Sequence, residues 1–393
     1  MTTSGADNQE FMPVDAPMYQ QLGVSARKDA VHSAVSKLSA PLYPGAFCRI
    51  VPSLDGNPDH CTVMHSDGVG TKASLAYVFW RETGDDTVFR LLAQDALAMN
   101  LNDIACVGAF GPIALTTTIN RNPRYVTDNV VARIIEGVEV PIEHLKHQGV
   151  TVYNSGGETA DTGDLTRTIQ LDASVCASMP RADVIDNSRI QPGDVIIGLK
   201  AEIHGGSGIG CNGLTLARHA LLGRDIAEKY PESYDPALGE LAYRNSRIFI
   251  NKVPQFDALC SPTPIYLPSI KQLAQALPGR IHGIVHCTGG GQTKILRTAP
   301  AGLHIVKDNL FELPNVFFEI ALYTDFDWRQ MYSVYNMGHL MEVYVRSEDA
   351  SAAIDALQGF GVEPRIVGHV EQDEPCTAQL TISTSRGTFK YRL

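Results

Sequence analysis

Apolar and polar positions change period several times after Cys61, and each change predicts an element. The run Cys61–His65 is short and apolar and enters a glycine-rich turn, which reads as a strand. Apolar residues at helical spacing follow from Thr87 to Val107, with Asp85 and Asp86 as candidate caps. A strand is expected around Ile113–Ile119, a helical region from Asn129 to Gln148 broken by Pro141, and a short strand over Val150–Tyr153. Ile169, Leu171, Ala173, Val175, Ala177 and Met179 alternate with polar neighbours, the period of a half-buried strand. Arg181–Gly193 is polar and ends in Pro192-Gly193, a turn and a domain boundary. Beyond it, strands are expected at 195–199, 283–287, 341–346, 365–370 and 378–383, and helices at 214–222, 269–277 and 348–358. The first 45 residues carry one short helical pattern, Lys28–Leu38, and read as an arm. The pattern therefore divides into an arm (1–45), an N-terminal domain (46–180) and a C-terminal domain (190–393), both domains mixing strands and helices in an α+β class.

Charge and cysteine usage narrow the partners. Of 393 residues, 32 are Lys or Arg and 43 are Asp or Glu, a net charge of −11. Such a surface repels phosphate backbones, so a nucleic-acid partner is not expected, whereas one small anion in a cleft is compatible with it. The eight cysteines form no CxxC and mostly adjoin apolar residues, as in Ile104-Ala105-Cys106-Val107, which predicts reduced buried thiols and a cytoplasmic protein. The polar N-terminus lacks the form of a signal peptide. No apolar run approaches the roughly 18 residues of a membrane span, so no membrane partner is expected.

Five polar clusters could carry chemistry. In His65-Ser66-Asp67-Gly68-Val69-Gly70-Thr71-Lys72 a strand delivers an Asp and a Lys around two glycines, residues that suit Mg²⁺ and phosphate. Asp95 and Asn102 lie seven apart on the inward face of the 87–107 helix, beside Asp103; polar groups there need partners, and a bound cation is one. Asn154-Ser155-Gly156-Gly157-Glu158-Thr159 again sets a carboxylate beside glycines, and Asp172 adds another on the polar side of 169–179. Gly205–Gly213 contains a formal GxGxxG, but the preceding strand ends at Leu199 and no acidic strand end follows, so the dinucleotide reading fails and an anion-binding loop remains. His286-Cys287-Thr288-Gly289-Gly290-Gly291-Gln292-Thr293-Lys294 is a fifth passage, again strand, glycines, then helix, and no Walker P-loop is present.

Taken in order, Asp67-Gly-Val-Gly-Thr-Lys72, Met99–Asp103, Gly156-Gly-Glu-Thr-Ala160, Asn212-Gly213 with Arg218, Thr288-Gly-Gly-Gly291 and Asn336-Met-Gly338 resemble the aminoimidazole ribonucleotide synthetase (phosphoribosylformylglycinamidine cyclo-ligase) family, over roughly residues 20–370. The resemblance implies two α+β domains, with N-terminal strands of two subunits completing a shared barrel in a homodimer. It implies a ligase using ATP and Mg²⁺ to cyclise formylglycinamidine ribonucleotide in de novo purine synthesis, with release of ADP and phosphate. Another ATP-using member of the same superfamily, or a non-catalytic nucleotide-binding relative, is the alternative. The implied roles are catalysis by Asp67, Lys72 and Asp103; metal binding by Asp67, Asp95, Asp103 and Glu158; and ATP contacts from Gly68, Gly70, Thr71, Asn102, Gly156, Gly157 and Thr159. Ser207, Gly208, Asn212, Gly213, Thr288, Gly289 and Gly290 are the implied substrate contacts. The family usually carries a His where this chain has Gly210, so His204 is a candidate replacement in catalysis.

Overall fold

A computed structural model of the chain describes residues 17–24, 34, 39–203, 205–245, 254–374 and 377–392. The alternation from Ile169 to Met179 forms the strand that organises the first half. Strands β1 (Ile50–Pro52), β2 (His60–Gly68), β3 (Ile113–Arg121), β4 (Val152–Asp161) and β5 (Ile169–Pro180) make a five-stranded sheet in the order β1-β2-β5-β3-β4. All neighbours are antiparallel except β3 and β4. Leu171, Ala173, Val175 and Ala177 lie on the buried face of β5. Beyond a short arm helix, α1 (Pro17–Gln21), the helices of this half are α2 (Lys72–Thr83), α3 (Val88–Ala105) and α4 (Asp128–His147). α3 is buried along nearly its whole length, the polar residues Asp95, Asn100, Asn102 and Asp103 included.

The second half carries a seven-stranded sheet in the order β12-β11-β8-β10-β6-β9-β7. Its strands are β6 (Asp194–Lys200), β7 (Ile281–His286), β8 (Leu303–Lys307), β9 (His339–Arg346), β10 (Pro364–Gln372), β11 (Gln379–Thr384) and β12 (Gly387–Arg392). The helices are α5 (Leu214–Leu221), α6 (Arg224–Lys229), α7 (Pro254–Cys260), α8 (Leu267–Ala276), α9 (Asn315–Tyr323), α10 (Trp328–Val334) and α11 (Ala350–Leu357). Together the halves form a mixed α/β architecture built on two sheets. The seven described cysteines are free thiols, and Cys48, Cys61, Cys106, Cys260 and Cys287 are buried. Among the described residues no helix is long and apolar enough to cross a membrane.

Three expectations change. The helix over 129–148 is not broken: Pro141 sits inside α4 with its ring in the core, where burial outweighs one lost backbone bond. The strand expected to stop at Tyr153 runs on to Asp161, because parallel pairing with β3 resumes past an irregularity between Leu115 and Thr117. β1, β8, β12, α1, α2, α6, α7, α9 and α10 do not follow from the pattern. The arm helix read over Lys28–Leu38 lies, apart from Ala34, outside the described residues.

One buried ring makes the second half sensitive to acid. His219 is fully enclosed on α5, stacks on Tyr243 with centroids 4.9 Å apart, and accepts the Tyr243 backbone N–H at 3.3 Å through Nδ1. Burial, aided by the adjacent Arg218 charge, pushes its pKa down to about 3. A folded pKa below the unfolded one gives stability that is whole above the unfolded value of about 6.5 and is lost as pH falls toward 3. Thermal melts should therefore show a loss of about 2 kcal/mol between pH 7 and pH 5. A His219→Asn chain, weaker at pH 7, should lose less over the same interval; an equal loss would assign the acid sensitivity elsewhere.

Candidate functional site

Along β2 the inward positions are Cys61, Val63, His65 and Asp67, so the buried side of one strand turns from apolar to polar near its end. There it meets α3. The Asn100 Oδ1 lies 3.0 Å from His65 Nδ1, and its amide donates to the Asp67 carbonyl at 3.0 Å. Three residues further along the helix, Asp103 accepts from His65 Nε2 at 3.2 Å through Oδ2 and from His286 Nδ1 at 2.5 Å through Oδ1. His286 ends β7 and is fully buried. A carboxylate on the N-terminal half is thus gripped by one imidazole from each half.

Burial alone would raise the Asp103 pKa. The hydrogen bonds and charges of His286 and His65 overcome it and hold the carboxyl well below the usual range. Burial likewise opposes a charged His65, but the bond and charge of Asp103 leave its pKa above the ordinary imidazole value. Asp67 behaves oppositely: burial and the nearby Asp103 charge raise it, although the Gly68 N–H donates to its Oδ1 at 2.8 Å. Two neighbouring carboxyls pushed in opposite directions are an arrangement common at functional sites.

These groups open into a cleft of about 510 Å³. Asp67, Gly68, Gly70, Thr71, Asp103 and Asp172 line it from the first half; Asn212, Gly213, Thr288, Gly289 and Gly290 line it from the second. Tyr19 and Val24 of the arm also border it. The Gly208–Gly213 loop is anchored by Tyr335 and Asn336. The Tyr335 hydroxyl donates to the Gly213 carbonyl at 2.9 Å, and the Asn336 amide donates to the Gly208 carbonyl at 2.8 Å. Gly213 has φ of +74°, and a Cβ there would meet the Tyr335 ring at 2.2 Å, so that position has room for glycine alone. The Thr71 and Thr215 hydroxyls, 2.8 Å apart, tie the first motif to the start of α5.

Other expected residues lie elsewhere. Lys72 does not face the cleft: its ammonium is buried against Asp95 at 2.8 Å and donates to the Ser261 carbonyl at 2.6 Å. Asp95 is not open to a cation, because Lys72 and the backbone and hydroxyl of Thr263, at 2.7 and 2.6 Å, already occupy Oδ1. Asn102 is also spent, donating to the Pro264 carbonyl and accepting the Tyr266 N–H, both at 2.8 Å. The inward polar stripe of α3 thus found its partners in chain segment 261–266 rather than in an ion. Gly156, Gly157, Glu158 and Thr159 lie on exposed β4 and not in the cleft lining; a Cβ at Gly157 would strike the Thr117 carbonyl at 2.2 Å, which accounts for that glycine by strand packing. Glu158 and Asp172 flank Thr118 in one cross-strand row on the same face, about 10 Å apart across two strand spacings. Gly208 is buried outside the lining, and Ser207 borders a separate cavity of about 640 Å³ whose acidic wall includes Asp85, Glu202, Asp257 and Glu319. His204 lies outside the described residues.

His65, His286, Lys294 and Arg297 received no role from the sequence pattern, although all four shape or border the cleft. A polar residue at an inward strand position, as at His65, was the available signal.

Comparison with known proteins points to one family. Residues 46–177 match the family profile described as "AIR synthase related protein, N-terminal domain", and residues 191–380 match "AIR synthase related protein, C-terminal domain". The chain is 31% identical over 372 residues to a phosphoribosylformylglycinamidine cyclo-ligase of Oceanobacillus iheyensis, covering 91% of this chain and 97% of that one. A protein of the same description from Methanococcus vannielii is 29% identical over 315 residues, 80% of this chain and 79% of its own. In fold, the chain resembles a crystal structure of a HypE–HypF complex, with TM-score 0.54, 17% identity, and coverage of 92% and 98%. It also resembles Thermotoga maritima PurL complexed with FGAR, with TM-score 0.54, 14% identity, and coverage of 95% and 52%.

Proposed function

The chain belongs to the AIR synthase related family, and from that premise we propose that its cleft carries out the ATP-dependent closure of the imidazole ring of aminoimidazole ribonucleotide. The observation that carries this reading is the convergence of the Asp67 strand, the Asp103 helix, the Asn212-Gly213 loop and the Thr288–Gly290 loop on one cleft. In the reaction the formyl oxygen of formylglycinamidine ribonucleotide takes the γ-phosphoryl group and ADP leaves. A nitrogen of the amidine then bonds to the activated carbon, phosphate departs with the C–O bonding pair, and one proton is lost.

Asp67, Asp103 and Asp172 supply hard oxygen donors, and the raised Asp67 carboxyl beside a charged Asp103 favours a cation between them. They would hold Mg²⁺, which when bound supplies positive charge against the triphosphate. The donor chemistry suits the ion, while the three carboxylates stand along the cleft wall rather than gathered round one point. His65 and His286 fix the orientation of the Asp103 carboxylate, and His286 shields it from water on the buried side. Gly68, Gly70 and Thr71 allow close approach of the phosphates to the end of β2. No side chain needs to act as a nucleophile, because positioning and charge compensation carry phosphoryl transfer. The direct test is incubation with formylglycinamidine ribonucleotide, ATP and Mg²⁺ in the cytoplasmic pH range. Aminoimidazole ribonucleotide formed one for one with ADP supports the reading, and ADP without ring closure rejects it.

The exposed strand β4 and the open face of its sheet support a homodimer in which a second copy covers them and extends the sheet. Sedimentation at micromolar concentration should show a species of twice 42.7 kDa. A single 42.7 kDa species would count against it.

A further inference from the structure

With Lys72 held by Asp95, the cleft's positive charge has another source. After Gly290 the chain enters a 3₁₀ helix, Gly291–Arg297. Residues three apart on such a helix eclipse one another. Gly291, Gln292, Ile295 and Leu296 are buried, while Lys294 and Arg297, three apart, both line the cleft. The Lys294 ammonium lies 5.3 Å from the centre of the Phe47 ring, whose face attracts a cation. Among the described residues of the lining, these are the cationic side chains beside the imidazole of His65. Asn212 shares that lining, its amide Nδ2 is buried with no hydrogen-bond partner, and its Oδ1 lies 3.8 Å from where a Gly289 Cβ would stand. The cleft is therefore bipolar, with carboxylates on the first half facing cations and an unpartnered amide donor on the second.

We propose that Lys294 and Arg297, with the Asn212 amide, hold the phosphomonoester of the ribonucleotide substrate; this rests on the cyclo-ligase reading above. A phosphomonoester carries close to two negative charges at neutral pH, which two cations match. The guanidinium of Arg297 can hold two oxygens in a fork, and Lys294 acts as a point charge. A triphosphate arriving with a divalent ion is already partly neutralised and suits the acidic wall instead.

The test uses the full-length protein with Lys294→Gln, Arg297→Gln and Arg297→Lys. The KM for formylglycinamidine ribonucleotide should rise about ten- to a hundredfold in each Gln variant, with the KM for ATP within about twofold of the parent, and Arg297→Lys should recover part of the loss. Calorimetry with ribose 5-phosphate should show binding that weakens about tenfold in the same variants, and none with ribose. An unchanged substrate KM, or a rise confined to ATP, overturns the assignment while leaving the cyclo-ligase reading intact. Absence of turnover in the parent, with charge-dependent binding of ribose 5-phosphate preserved, overturns that reading and leaves the phosphate site standing. If a Gln variant does not fold, Arg297→Lys carries the comparison, and parental affinity for both ligands then overturns the assignment.

Discussion

Asp103→Asn should lower kcat about a thousandfold, equivalent to about 4 kcal/mol of transition-state stabilisation. The substitution preserves shape but removes the one charge on which His65 and His286 converge. An amide cannot accept from both rings as a carboxylate does, because one of its two heads is a donor. The orientation of both imidazoles and the oxygen donor toward the metal are lost together. Thermal stability should also fall, by about 1–3 kcal/mol, since His286 is buried and loses a charge-assisted bond. A melt at the assay temperature separates the effects: a folded chain with normal turnover would remove Asp103 from the site.

Lys72→Met should be the most destabilising of these changes. It strands the Asp95 carboxylate at a position with no exposure to water, and breaking one partner of a buried pair costs about 3–5 kcal/mol. Urea unfolding measures it. The Lys72→Met/Asp95→Asn double variant should recover part of that loss, because it removes the stranded charge while Asn Oδ1 still accepts from Thr263. A single variant as stable as the parent would show that the pair contributes nothing.

Much of this arrangement was legible in the residues, and what was missed has physical reasons. Strands with clean alternation, β5 above all, stand where the pattern put them, because one face is buried and the period is unambiguous. Asp67 and Asp103 come together because each sits at the end of a well-patterned element. The pattern could not say which inward polar group of α3 faces which neighbour. Asp95 and Asn102 face chain more than 160 residues away, and Asn100 and Asp103 face β2, yet all four fall on one helix within nine positions. Lys72 shows the same limit: its glycine-rich neighbours suggest a phosphate, while the carboxylate that holds it lies 23 residues on. β4 was cut short because Asn154–Thr159 has the composition of a turn, and only its pairing with β3 makes it a strand.

α3 belongs by sequence to the first sheet, yet Asp95 and Asn102 clasp the backbone of Thr263, Pro264 and Tyr266 in the second half. Those bonds are enclosed, so they vanish only when the whole helix is wetted. Neither half can lose its structure while the other keeps a dry surface against α3, since the survivor would be left with bare amides and carbonyls. In calorimetric terms the two sheets should melt as one cooperative unit, and a truncated N-terminal piece ending near Pro180 would carry buried polar groups with nothing to answer them.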